Sequence, residues 1–179
     1  MSNLYNLYKT KIRKKLFLKF SYKNIHEIPK LIKIIISFGL GLRATQYTNY
    51  LTNLINETIM MVGQSPKITR AKKAISNFKI RQKMPIGLVV TLRKKRMYAF
   101  LEKLIHIALP NIRNFRFINS NSFDFFGNIS MGIKDNTIFP ELQENFSDIK
   151  RGFNITIVTT ATTKNESLFL LQELGLPII

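Results

Sequence analysis

Between Thr58 and Leu101 the chain contains no aspartate or glutamate, yet eleven lysines and arginines fall in that stretch. Such a segment has no counter-charges of its own, and a buried unpaired charge is strongly destabilising, so any fold must carry these cations on its surface. The asymmetry reaches further. Residues 1–101 hold 21 Lys/Arg against only Glu27 and Glu57, whereas residues 102–179 hold seven against eight acids. Almost the whole net charge of +18 therefore lies in the first part of the chain. A domain with that self-repulsion takes a polyanion as its counterion, and nucleic-acid phosphate is the commonest one. A merely solvated basic surface would have its lysines interspersed with glutamates.

At 179 residues with 45% hydrophobic content the chain is long and apolar enough for one domain with a real core. The longest apolar run, Ile34 to Phe38, is β-branched and far too short to span a membrane. There are no cysteines, and His26 and His106 are the only histidines, which excludes disulfides and thiolate metal sites and argues against a histidine-based one. Met1 to Leu4 leads into a helical pattern without the apolar core and small-residue cleavage site of a signal peptide. The first segment is basic and amphipathic but lacks the arginine and serine bias of an organelle transit peptide. Enrichment in Ile, Asn, Lys and Phe is the imprint of an AT-rich coding genome rather than of folding.

Periodicity orders the rest. Leu4, Leu7, Tyr8, Ile12, Leu16 and Phe20 share one helical stripe within residues 3–20. Ile28-Pro29 ends that unit, and Leu31 to Phe38 reads as a strand closed by Gly39-Leu40-Gly41. Tyr47, Leu51, Leu54, Ile55, Thr58 and Val62 return to helical spacing, with Gly63 as a left-handed terminator and Pro66 blocking continuation. Residues 67–70 make a short strand and 71–85 an exposed basic loop. Ile86 to Leu92 is a strand, and Met97 to Ala108 an amphipathic helix stopped before Pro110. After a loop over 111–127 come strands over 128–133 and 153–160. A final helix starts at Thr163-Lys164-Asn165-Glu166, a capping-box pattern, and stops at Gly175 and Pro177. The expectation is an α+β, two-layer single domain spanning 1–179, with a mostly antiparallel sheet, helices on one face and a long basic loop.

Nothing in this pattern equips an enzyme. No histidine stands with a nucleophile and an orienting carboxylate, the acids have no paired spacing, and Gly39-Leu40-Gly41 is too short for a phosphate loop. No cofactor is expected. The basic block suits RNA instead: cations for phosphates, Gln64, Ser65, Asn77 and Gln82 for bases or 2′-hydroxyls, and Phe78 either to stack on a base or to anchor the loop on the core.

The run from Gly63 through Arg81 resembles the signature block of a known family, the universal 5S rRNA-binding protein number five of the large ribosomal subunit. The resemblance continues in order through Met84 to Gly87, Val90 to Arg93, Arg96 to Tyr98, Ala108 to Arg116, Ser122 to Asp124, Gly127 to Ile133, Ile138 to Glu141, Arg151-Gly152 and Ile155 to Ala161. It implies a structural protein of the central protuberance, docking one sheet face on 5S rRNA and touching neighbouring large-subunit rRNA and other central protuberance proteins. By matching positions, Ser37, Gln64, Ser65, Lys67, Thr91 and Arg93 would meet rRNA. Arg70, Lys72, Lys73, Asn77, Phe78, Lys79, Arg81 and Lys83 would face peptidyl-site tRNA. Arg113, Arg116, Phe125 and Phe126 would serve a bridge to a small-subunit head protein or another partner. An RNA-processing or assembly factor using the same basic surface is the alternative.

Four positions depart from the family pattern. Ser37 stands for a usual asparagine, Lys94 for a glycine, Phe117 for a glycine, and Phe125-Phe126 for Gly-Arg. The last two changes bear on the bridge and would fit a lineage-specific partner over residues 117–126, since exposed phenyl rings favour a contact. Composition and the bacterial type of these blocks point to a chain made inside an organelle, with the mitochondrial matrix as first expectation and the cytoplasm of an AT-rich bacterium as the alternative.

Overall fold

The computed structural model describes residues 3–40, 48–112, 117–143 and 151–178. Its five strands are β1 (Leu31–Gly39), β2 (Lys67–Arg70), β3 (Pro85–Leu92), β4 (Ile129–Ile133) and β5 (Phe153–Thr159). They form one antiparallel sheet in the order β2-β3-β1-β5-β4, and the α+β class expected from periodicity holds. The helices are α1 (Asn3–Leu7), α2 (Arg13–Phe20), α3 (Thr48–Val62), α4 (Lys94–Lys103), α5 (Pro140–Gln143) and α6 (Lys164–Glu173). Packing gathers the chain into two compact units. The first is Met1–Ile34 with Leu92–Met131 and Ile155–Ile179, and the second is Ile35–Thr91 with Gly132–Asn154.

In the first unit a π-helical segment, Tyr8–Ile12, joins α1 to α2, and a second, Leu104–Ala108, continues α4. Each closes i→i+5 bonds, Arg13 N–H to Tyr8 O and Leu109 N–H to Leu104 O, which a simple 3.6-residue period does not report. Ile12, Leu16, Leu101, Leu104, Leu170 and Leu171 are fully enclosed, so the apolar stripes of these helices do become core. The capping box of α6 closes one residue early. Thr163 accepts from the Glu166 amide at 3.4 Å, but the Glu166 carboxylate takes the N–H and hydroxyl of Thr162, not the N–H of Thr163. Lys15 reaches Glu173 at 2.7 Å on the surface, where such a pair adds little.

In the second unit α3 ends as anticipated. Gly63 adopts φ 71° and its N–H bonds the Ile59 carbonyl at 2.7 Å. The unit also holds a polar cluster that periodicity does not reveal. Glu57, 3% exposed, accepts from the Arg151 guanidinium at 2.5 Å and from the Asn136 amide at 3.2 Å. The Asn136 side-chain oxygen in turn accepts the Arg151 backbone N–H at 3.2 Å, and the guanidinium lies 4.4 Å from the centre of the Tyr50 ring. The cluster ties α3 to residues flanking β4 and β5. Burial pushes the Glu57 carboxyl above its ordinary range, and Arg151 pulls it only part of the way back.

Removing one partner from such a cluster leaves the other buried and unsatisfied, so Glu57→Ala should cost about 3–5 kcal/mol in denaturant unfolding. Glu57→Gln keeps the shape and should cost less. Because the folded-state pKa of Glu57 lies above its unfolded value, its contribution is present below the unfolded value and lost as pH rises through the folded one. The glutamine variant should lack that decline.

Candidate nucleic-acid interface

Along β1 the side chains of Ile36 and Phe38 are buried while Ile35 and Ser37 are half-exposed. Along β3, Leu88 and Val90 are buried while Val89 and Thr91 are half-exposed. A strand alternates its side chains between faces, so Ser37 and Thr91 lie on the face turned away from the core. The antiparallel register of β2 on β3 sets Lys67 opposite Val89 and Thr69 opposite Gly87. Directly opposed residues share a face, which adds Lys67 and Thr69 to this surface. The expected set omits Thr69, although the same alternation identifies it. Gly87 is required where it stands, because a Cβ there would lie 2.8 Å from both the Phe38 carbonyl and the Thr69 hydroxyl.

Gln64 follows the left-handed Gly63 and is half-buried, its amide donating to the Thr91 carbonyl at 3.2 Å. It therefore braces the end of β3 as well as standing beside this face. Ser65 and Lys67 are exposed. In the first unit, Arg93 is exposed and extended, and Lys94 after it opens α4 at φ 51°. The turn keeps a left-handed backbone with a lysine in it. The left-handed region costs a residue with a Cβ roughly 1–2 kcal/mol.

The basic loop is exposed as expected, but it is not irregular. Across its base the Ala71 N–H bonds the Met84 carbonyl and the Lys83 N–H bonds the Ala71 carbonyl, both at 2.9 Å. Farther out Ile75 and Ile80 pair at 2.9 and 3.1 Å around a 3-10 turn, Ser76–Phe78. Lys79 and Lys83 take positive φ to close the hairpin, and the Arg70 guanidinium bonds the Lys83 carbonyl at 3.1 Å. The segment looks aperiodic in sequence because its ladder has only two rungs. Lys72, Lys73, Asn77, Lys79, Arg81 and Lys83 are all exposed. Phe78 is 64% exposed, which rules out its anchoring the loop on the core.

Phe125 and Phe126 cap a tight turn in the first unit. The Asp124 carboxylate accepts the backbone N–H and side-chain amide of Asn128 at 2.6 and 2.8 Å. Gly127 adopts φ 75° and packs so closely that a Cβ would come within 2.9 Å of Ser167 Cβ. The two rings stand 86% and 68% exposed and meet edge to face. Phe117 is exposed as well. Arg113 and Arg116, expected at the same bridge, lie outside the described residues.

Two family models match the chain, that of ribosomal protein L5 over residues 24–81 and that of the C-terminus of the same ribosomal family over residues 85–178. The large ribosomal subunit protein uL5 of Trichodesmium erythraeum is 52% identical over 170 residues, 95% of this chain and 93% of that protein. The protein uL5c of Gracilaria tenuistipitata var. liui is 52% identical over 178 residues, 99% of each chain. That of Tetradesmus obliquus is 49% identical over 174 residues, 97% of this chain and 96% of the relative.

If the hairpin's exposed cations neutralise phosphates, the Lys72/Lys73/Arg81 triple alanine variant should lower the log–log salt slope of RNA binding by about 0.7–0.9 per lost contact. Filter binding across a salt series measures it. Separately, Lys94→Gly should raise stability by about 0.5–1 kcal/mol in chemical denaturation, since glycine takes positive φ without strain.

Proposed function

This chain belongs to the ribosomal protein L5 family, whose members are structural proteins of the large ribosomal subunit and not enzymes, and from that premise we propose how its surfaces divide the work. The uncovered face bearing Ser37, Lys67 and Thr91, with Gln64 and Ser65 beside it, binds 5S rRNA in the central protuberance, and Arg93 contributes a phosphate contact. The hairpin from Arg70 to Lys83 reaches peptidyl-site tRNA. Phe125 and Phe126, with Arg113 and Arg116, meet a small-subunit head protein or a neighbouring protein.

One observation carries this reading above the others. The acid-free stretch is folded into an ordered, exposed hairpin rooted beside a sheet face with half-exposed polar groups. Hydroxyls and amides on a rigid strand suit 2′-hydroxyls and base edges, while lysines on a protruding arm suit a phosphate backbone at some distance. Ser37 has a shorter reach than the asparagine usual in the family, so its contact is made through water or not at all. As for location, the relatives are cyanobacterial and plastid proteins. They favour a bacterial or plastid ribosome, and the mitochondrial expectation draws no support from them.

A variant lacking residues 72–82, closed by a short Gly-Ser link, separates these roles. It should still enter large subunits and co-sediment with them in high salt, but those subunits should hold peptidyl-site tRNA less tightly. Failure of the folded variant to assemble would make the hairpin an rRNA anchor. Loss of the full-length chain from subunits in high salt would favour an assembly factor over a resident subunit.

A further inference from the structure

A cleft of about 590 Å³ opens in the first unit between the α1 end of the chain, the turn at Ile25–Glu27, the start of β1 and the start of α4. That volume is within the range of small-molecule and nucleotide sites, about 300–1,000 Å³. Three of the chain's six tyrosines, Tyr5, Tyr8 and Tyr98, line it. Tyr8 and Tyr98 are buried, and the Tyr8 hydroxyl donates to the Pro29 carbonyl at 3.0 Å, so both rings are fixed. Tyr5 is the half-exposed ring, tilted against Tyr98 at 5.1 Å, with the Lys9 ammonium 4.6 Å from its centre. Five cations stand in the same wall: Lys9, Arg13, Lys30, Lys94 and Lys95. Among the described residues no acid lines it, and Glu27, in the turn beside His26, is not among the lining residues. Lys94 holds its place at φ 51°, a backbone state disfavoured for lysine. A shallower groove continues from Arg13 and Ile25 to Phe17 and Leu18.

Fixed aromatic rings with acid-free cationic walls match a ligand that is planar at one end and anionic at the other. We infer that this cleft holds one unpaired nucleotide of RNA, its base against Tyr5 and its phosphates on Lys9, Lys94 and Lys95. The site shares no residue with the face bearing Ser37 and Thr91, and the inference does not depend on that face binding RNA. Stacking on an aromatic ring is tolerant of sequence and is denied to a base inside a duplex.

The chain has no tryptophan, and three of its six tyrosines line the cleft, so the part of the tyrosine emission lost in Tyr5→Phe reports on it. Oligoadenylate should quench that part in the intact protein, while a blunt RNA duplex and an abasic oligomer of equal length should not. Tyr5→Ala should lower affinity for oligoadenylate about 5- to 150-fold, the loss of one stacked base, and leave duplex affinity within about twofold. Tyr5→Phe should retain binding. Tyr5→Leu, which keeps bulk without an aromatic ring, replaces the alanine variant should that one fail to fold. Ultraviolet crosslinking of the oligonucleotide should map to Tyr5, and Thr91→Val should leave that crosslink intact. The proposal is overturned by equal losses on strand and duplex, by oligoadenylate binding that Thr91→Val abolishes and Tyr5→Ala spares, or by absence of single-strand binding in the unmutated chain. It is also overturned if polyglutamate competes as well as RNA, which would make the cleft a groove for an acidic peptide.

Discussion

A strand shows successive side chains to opposite faces, so burying Ile34, Ile36 and Phe38 dictates where Ile35 and Ser37 point. The same holds along β5, where Ile155, Ile157 and Thr159 are enclosed and Asn154, Thr156 and Val158 are turned away. In β4, Ile129 and Ile133 are enclosed while Ser130 is exposed, its hydroxyl 3.0 Å from that of Thr156. A register slip of one residue in any strand would exchange its core set for its open set. The open side is thus a necessary product of the folding pattern. Ile35, Ser37, Thr69, Val89, Thr91, Ser130, Thr156 and Val158 on that side are β-branched or hydroxylic, which a strand accepts readily without an apolar layer above them.

Charge follows from that geometry. Cations lacking acidic partners have no place in the core, and the chain distributes them at the tip of the β2–β3 hairpin, along the π-helical segment Tyr8–Ile12 and α2, and at the start of α4. The exception among the described residues is Arg151, whose guanidinium is buried against the Glu57 carboxylate and whose backbone N–H the Asn136 side-chain oxygen accepts. That cluster is costly in desolvation, so its contribution is better described as fixing the arrangement of the second unit than as a large net gain.

Much of this was legible in the residues. The Ile34–Phe38 run, the apolar stripe after Met97 and the punctuation at Gly63 and Pro66 each correspond to an element, because repeated burial leaves a period that can be read. What escaped the sequence has a common cause. Glu57 and Arg151 are 94 positions apart, and a single pair separated so far leaves no period. The two-rung ladder of the basic hairpin is too short to produce alternation. The tyrosine-lined cleft joins three separate stretches that meet only in the folded chain. At the candidate interface, the cations and Thr91 are proposed from composition and resemblance, whereas the bond from Gln64 to the Thr91 carbonyl required coordinates.

The turn carrying Phe125 and Phe126 has a consequence for the lone molecule. Asp124 holds the turn through Asn128, and the tight seat of Gly127 against Ser167 resists its bending. The rings therefore have no local route to shelter on the chain's own surface. Each free copy keeps two phenyl groups in water until another molecule covers them. By mass action, any excess of this chain over that molecule is an equal excess of exposed aromatic surface, available to chaperones, proteases and other free copies. On the proposal that a partner covers this turn, its rigidity makes balanced supply of the two components a physical requirement.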